Sequence, residues 1–258
     1  FTGNGYPDLI GLDITDGTDE AKLILVRNKF EDLDDDGIDD DGIIFQTDES
    51  EIYDIDLDAE VCSITVGDYN NDGLLDFFFV KNMSDDPVYD EFLATMYINV
   101  GTETDPDFQP YYQSPNLNFT SKFMGALIYM RWTADHLCSV DIDKDGDTDV
   151  LVISNNQIFL VRNPGPSSFD VDNFDIVELN YDQPTGFDID MGGSTIDAAD
   201  FDNDGDVDIV AGTVTDIAYL VFYQNDGTGY FTRYEIPIPN PDCTGTTTTN
   251  LGDFNQDG

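Results

Sequence analysis

Apolar residues in this chain come in short runs that open on an aspartate and are bounded by turn residues. Asp8-Leu-Ile-Gly-Leu12, Asp76-Phe-Phe-Phe-Val80, Asp149-Val-Leu-Val-Ile153 and Asp208-Ile-Val-Ala-Gly212 all have this form. Runs of this length, rich in β-branched and aromatic residues, predict strands. A second run ends in a turn Asn each time: Leu23-Ile-Leu-Val-Arg-Asn28, Met96-Tyr-Ile-Asn99, Ile158-Phe-Leu-Val-Arg-Asn163 and Leu220-Val-Phe-Tyr-Gln-Asn225. Turn signals such as Asn225-Asp-Gly-Thr-Gly229 then precede a third strand, Thr232-Arg-Tyr-Glu-Ile236. A strand that alternates polar and apolar residues, Ser63-Ile-Thr-Val66 or Thr195-Ile-Asp-Ala198, leads into the next Asp-rich loop. No stretch carries a helical period.

The loops repeat. Gly67-Asp-Tyr-Asn-Asn-Asp-Gly-Leu-Leu-Asp76, Val140-Asp-Ile-Asp-Lys-Asp-Gly-Asp-Thr-Asp149 and Ala199-Asp-Phe-Asp-Asn-Asp-Gly-Asp-Val-Asp208 share the pattern D-x-D/N-x-D-G-x-x-D. A further copy begins at Gly252-Asp-Phe-Asn-Gln-Asp-Gly258, and Phe1-Thr-Gly-Asn-Gly-Tyr-Pro-Asp8 aligns as its positions 2 to 9. First positions at 68, 141, 200 and 253 give spacings of 73, 59 and 53 residues. Repeats of this order, each with four short strands, predict an all-β propeller built of four-stranded blades with the loops as hairpin connections. The units run about 1–60, 61–134, 135–193 and 194–246, with 247–258 opening the next. A β-sandwich is the alternative, but it gives no reason for one loop at a fixed point of every unit. So few units make a very small ring, and the segment is expected to be part of a larger one.

Charge sharpens the loops' chemistry. The chain carries 55 acidic against 9 basic residues, net −46, and only nine of the acids are Glu. A general solubility bias would recruit both acids, whereas the shorter Asp fits tight turns and metal loops. Such a charge repels nucleic-acid phosphate and anionic membrane surfaces, so cations are the natural partners.

Calcium takes six to eight oxygens, and alternate side chains on a tight turn can surround it. Positions 1, 3, 5 and 9 supply carboxylate or amide oxygens, position 7 a backbone carbonyl, and Gly at position 6 the bend. The predicted ligand sets are Asp68, Asn70, Asp72, Leu74 and Asp76; Asp141, Asp143, Asp145, Asp147 and Asp149; and Asp200, Asp202, Asp204, Asp206 and Asp208. An EF-hand needs Glu at position 12, where Phe79, Val152 and Ala211 stand, and flanking helices. Asx-turns without metal are the plainer alternative, but they do not require the same acids in every copy. Magnesium, octahedral and slow to dehydrate, fits less well.

Further loops are expected at the edges of this pattern. Within an acidic insertion at 30–48, Asp32, Asp34, Asp36, Ile38 and Asp40 take the same positions around Gly37. They resemble thrombospondin type 3 loops, with a solvated acidic insertion as the alternative. Thr2, Asn4 and Asp8 belong to the leading half-loop, and Asp253, Asn255 and Asp257 to the trailing one. About three to six calcium ions are expected in all.

Asp200-Phe-Asp-Asn-Asp-Gly-Asp-Val-Asp-Ile-Val210 and Tyr223-Gln-Asn-Asp-Gly-Thr-Gly-Tyr-Phe231 resemble the FG-GAP/VCBS repeat family, which includes the integrin α head. The resemblance implies a propeller, commonly seven-bladed, with calcium in hairpin loops on one face. Long units at the acidic insertion and at 85–107 depart from it, as does the lack of a clear FG…GAP signature.

The functional expectation is a calcium-stabilised extracellular or cell-surface module for adhesion, binding or assembly, with a protein or glycan ligand and no catalysis. The alternative is the non-catalytic or substrate-binding part of a secreted polysaccharide-active enzyme. His136, beside Trp132 and Asp135, reads as structural, and there is no nucleophile elbow. The sequons Asn82-Met-Ser84 and Asn118-Phe-Thr120 are compatible with secretion. Of three Cys, Cys62 reads as a core thiol sharing a face with Ile64 and Val66, while Cys243 sits among turn residues. No apolar run is long enough for a membrane helix, and no direct membrane insertion is expected.

Overall fold

The computed structural model describes residues 8–14, 21–26, 28–30, 43–45, 52–56, 60–82, 92–102, 105–111, 136–154, 157–169, 174–178, 195–212, 219–227 and 230–237. These residues form strands and the turns between them, with no helix among them. The first sheet joins β1 (Leu9–Ile14), β2 (Ala21–Val26) and β5 (Ile52–Asp56) in the order β1-β2-β5. A separate hairpin, β3 (Asn28–Phe30) with β4 (Ile43–Phe45), stands between β2 and β5. The acidic insertion residues Asp32, Asp34, Asp36, Ile38 and Asp40 lie outside the described residues.

Three four-stranded antiparallel meanders follow. They are β6 (Glu60–Gly67), β7 (Asp76–Asn82), β8 (Phe92–Asn99) and β9 (Phe108–Pro110); then β10 (His136–Val140), β11 (Asp149–Ser154), β12 (Gln157–Arg162) and β13 (Asp175–Glu178). The last is β14 (Ile196–Ala199), β15 (Asp208–Gly212), β16 (Tyr219–Asn225) and β17 (Phe231–Pro237). In each, neighbours in sequence are neighbours in the sheet, and an Asp-rich loop joins the first strand to the second.

The runs predicted from sequence are apolar without alternation because both faces of the inner strands are covered. On β11, Val150 and Val152 join Phe159 and Val161 against Tyr69, Phe78, Met96 and Ile98 of the preceding sheet. Leu151, with Ile158 and Leu160, turns the other way, onto Ile209, Ala211, Val221 and Tyr223 of the following sheet. On β7 the same division puts Phe77 and Phe79 against Leu25 and Phe108, and Phe78 on the opposite side. Full burial of such a side chain contributes about 2–3 kcal/mol. The sheets therefore stack face to face, and β10 touches both β6 and β14.

Polar contacts fix the stacking register. Ser139 Oγ is 2.8 Å from both Thr65 Oγ1 and the buried Tyr69 hydroxyl. The β6–β7 register shifts between Val61 and Ser63. Such a bulge adds a residue to one strand, and the expectation for the Cys62 side chain lies outside the described residues.

Candidate metal centres

Loop I (Asp68–Asp76), loop II (Asp141–Asp149) and loop III (Asp200–Asp208) fold alike. Position 4 lies in the left-handed region in each, at φ 57° for Asn71, 59° for Lys144 and 58° for Asn203. The glycine two residues later has φ 89°, 92° and 96° at Gly73, Gly146 and Gly205. That conformation costs a residue with a Cβ free energy but glycine almost none, which is why position 6 is Gly. In loops II and III the bend folds the chain back so that the side chains of positions 1, 3 and 9 converge.

Hydrogen bonds then hold the acids. The first acid accepts the N–H of position 6: Asp68 Oδ2 from Gly73 at 2.8 Å, Asp141 Oδ2 from Gly146 at 3.0 Å, and Asp200 Oδ2 from Gly205 at 3.0 Å. The position 5 acid accepts the N–H of position 7, with Asp72, Asp145 and Asp204 taking Leu74, Asp147 and Asp206 at 2.9, 3.0 and 2.9 Å.

The closing acids Asp76, Asp149 and Asp208 are buried at the first residue of the second strand. Oδ2 accepts the position 2 N–H of Tyr69, Ile142 or Phe201 at 3.0, 3.3 and 3.0 Å. Oδ1 accepts the N–H of the turn asparagine, Asn99, Asn163 or Asn225, at 2.8, 2.8 and 2.9 Å. Each turn asparagine in turn accepts the N–H of the glycine two residues on, at 3.1 Å for Gly101, Gly165 and Gly227. One carboxylate thus ties its loop to a strand it is not adjacent to in sequence.

The electrostatics favour a cation. Burial pushes Asp76 up to about 7, helped by the charges of Asp72 and Asp68 and opposed by the Asn99 and Tyr69 amides. Burial likewise pushes Asp149 up to about 7, with Asp143 and Asp145 adding to it. Asp208 and Asp143 are raised too, burial first among the causes. Carboxylates crowded until their ionised forms are disfavoured are relieved by a bound positive ion.

Carboxylate oxygens of Asp141, Asp143 and Asp149 lie within 4.8 Å of one another, as do those of Asp200, Asp202 and Asp208. Asp141 Oδ1 is buried and has no hydrogen-bond partner. An orphaned carboxylate oxygen beside two others is a set of hard donors that fits a hard divalent cation. In loop I position 3 is an amide, Asn70, whose Oδ1 accepts the Asp72 N–H at 3.0 Å.

The residue just before the turn asparagine also reaches position 3, a partnership that sequence reading missed. Arg162 Nε stands 3.1 Å from Asp143 Oδ2, an ion pair without an aligned N–H. Gln224 Nε2 bonds Asp202 Oδ2. In the β6–β9 sheet the residue before the turn asparagine is buried Ile98, and position 3 is the neutral Asn70. The signal was present as Arg162-Asn163, Gln224-Asn225 and Ile98-Asn99, one residue upstream of the turn asparagine.

Of the remaining expected ligands, Asp8 is half-buried at the entrance to β1. Thr2, Asn4, Asp253, Asn255 and Asp257 lie outside the described residues, as do Trp132, Asp135 and Cys243. His136 opens β10 opposite Ile153. Cys138 is a free, half-buried thiol that burial, with the nearby Asp197 charge, pushes up to about 11.

Comparison with known proteins gives a match to the FG-GAP-like repeat at residues 141–211 and again at residues 200–258. No curated protein matches the chain. Loops II and III fall inside the matched residues; loop I precedes them and repeats their backbone.

Proposed function

Since residues 141–258 belong to the FG-GAP-like repeat family, we propose that the chain is a calcium-stabilised segment of a β-propeller. It serves outside the cell or at its surface as an adhesion, binding or assembly module, and not as an enzyme. The observation that carries the reading is the recurrence, in all three described loops, of one frame that crowds carboxylates and raises its closing acid or neighbours.

Asp68, Asn70, Asp72 and Asp76 would hold one ion with the Leu74 carbonyl. Asp141, Asp143, Asp145 and Asp149 would hold another with the Asp147 carbonyl, and Asp200, Asp202, Asp204 and Asp208 a third with the Asp206 carbonyl. The ion supplies positive charge that lets these acids ionise together. Its role is structural, because the closing acid ties each loop to the third strand of its sheet. Sites of this kind in extracellular modules bind calcium at roughly 10⁻⁴–10⁻³ M, which supports a calcium-rich compartment. The acidic surface supports a protein or glycan partner over nucleic acid.

Thermal unfolding tests the reading. At calcium about tenfold above its dissociation constants, three sites contribute roughly 4 kcal/mol. Excess chelator is expected to lower Tm by about 10 °C, and magnesium at equal concentration to restore little of it. A melt that ignores chelator refutes the calcium assignment.

A further inference from the structure

Successive loops are joined to each other by a bond that repeats with the same offset. Asn71, at position 4 of loop I, donates from Nδ2 to Asp147 Oδ1, at position 7 of loop II, and also reaches the Gly146 carbonyl at 3.4 Å. Lys144, at position 4 of loop II, donates from Nζ to Asp206 Oδ1, at position 7 of loop III, at 3.2 Å. Both donors stand in the left-handed region between ligand positions 3 and 5. An ion that fixes positions 3 and 5 therefore fixes the direction in which position 4 points.

The receiving aspartates are also held from behind. A Cβ added at Gly165 would overlap Asp147 Oδ2, and one at Gly227 would overlap Asp206 Oδ2. Each position 7 side chain thus lies between the turn glycine of its own sheet and the donor of the preceding loop. Position 7 is the residue whose backbone carbonyl would face the ion of its own loop in the calcium reading above. In that reading the bond runs from a residue that one ion would order to the residue that would present a ligand to the next.

We infer that these bonds couple the loops, so that filling one raises the affinity of the loop after it, and by linkage the reverse. The inference rests on the calcium reading above and adds to it a coupling between loops and the bonds that carry it. Because the Lys144 and Asp206 side chains are 44% and 28% exposed, the coupling is expected to be about threefold to tenfold in affinity per junction.

The test follows hydrogen exchange of the whole 258-residue chain during a calcium titration, read separately over residues 68–76, 141–149 and 200–208. Each loop then reports its own midpoint. Disabling loop II with Asp141→Ala and Asp145→Ala removes two negative charges, as a bound divalent ion would neutralise, so through-space charge on loop III is matched. The loop III midpoint is expected to rise threefold to tenfold. In a Lys144→Met background, which keeps the stem and loses the donor, the same disabling should leave loop III unmoved.

The first junction gives an independent version should the loop II variant not fold. Disabling loop I with Asp68→Ala and Asp72→Ala raises the loop II midpoint, and Asn71→Gly abolishes that dependence. Midpoints that ignore the state of the preceding loop, in a chain that still takes up calcium, overturn the coupling alone. The absence of any calcium midpoint overturns the calcium reading and the coupling with it.

Discussion

Loops I and II share a backbone to within a few degrees at their left-handed residues, yet they balance position 3 in opposite ways. Loop I uses the neutral Asn70, whose Nδ2 donates to Asp72 Oδ2 at 2.9 Å, and has the buried, apolar Ile98 just before its turn asparagine. Loop II uses Asp143 and sets Arg162 beside it. Loop III takes the middle course, with Asp202 bonded by the uncharged Gln224. The frame made of the first acid, the glycine and the closing acid is constant, while the charge at position 3 is adjusted from a neighbouring strand. Calcium affinity depends on ligand charge and rigidity, so as the calcium sites proposed above the three loops would share a shape and differ in strength, with loop III expected to be the tightest.

The constant part predicts the largest effects. Asp76→Ala and Asp149→Ala each remove the acceptor of two backbone N–H groups at a buried position. Unpaired buried donors cost about 1–3 kcal/mol each, so both variants should lose about 3–5 kcal/mol in urea unfolding with calcium present. Equal losses support a shared frame, and a gap above about 2 kcal/mol between them breaks it.

Next in size comes pH. Asp76 and Asp149 both titrate near 7 in the folded, metal-free loops, above the ordinary 3.8. The folded state therefore binds their protons more tightly than the unfolded chain does. The penalty for ionising them is full above pH 7 and is relieved as pH falls toward 4. Chelated protein should gain about 5 °C in Tm between pH 8 and 5.5, while calcium midpoints rise because the ion must displace those protons. Stability of the chelated protein that falls over this range contradicts the burial of the closing acids.

The adjustable part gives the smallest effects. Asn70→Asp adds a fourth carboxylate to loop I and is expected to lower its calcium midpoint by about tenfold. Arg162→Met removes a half-exposed positive charge from beside Asp143 and should tighten loop II by only about threefold. Hydrogen exchange over each loop reads both. A weaker loop II after Arg162→Met would mean that Arg162 orients Asp143 more than it opposes the ion.

The loops were legible in sequence because their constraints are local. A Gly at position 6 and Asp at positions 1, 5 and 9 are dictated by backbone that the same residues build. The strand runs were legible for a different reason: Val150, Leu151 and Val152 are all buried because sheets cover both faces, and that leaves an unbroken apolar run. The pairings of Asn71 with Asp147 and Lys144 with Asp206 were not legible, since they depend on the offset between stacked sheets rather than on spacing along the chain. Arg162 read as an ordinary strand residue until β12 brought it beside loop II. The β3–β4 hairpin likewise needed Asn28–Phe30 to find Ile43–Phe45 across a stretch whose acids dominated the sequence pattern.

The faces of β11 also bear on how such a chain could have grown. Val150 and Val152 need the sheet before them, and Leu151 needs the sheet after, so the segment that recurs in the sequence is smaller than the piece that can fold. A gene that duplicates one repeat inserts a layer with two sticky faces, acceptable only where a neighbour on each side already presents a matching one. Growth by internal duplication is therefore easiest between sheets that already stack on one another.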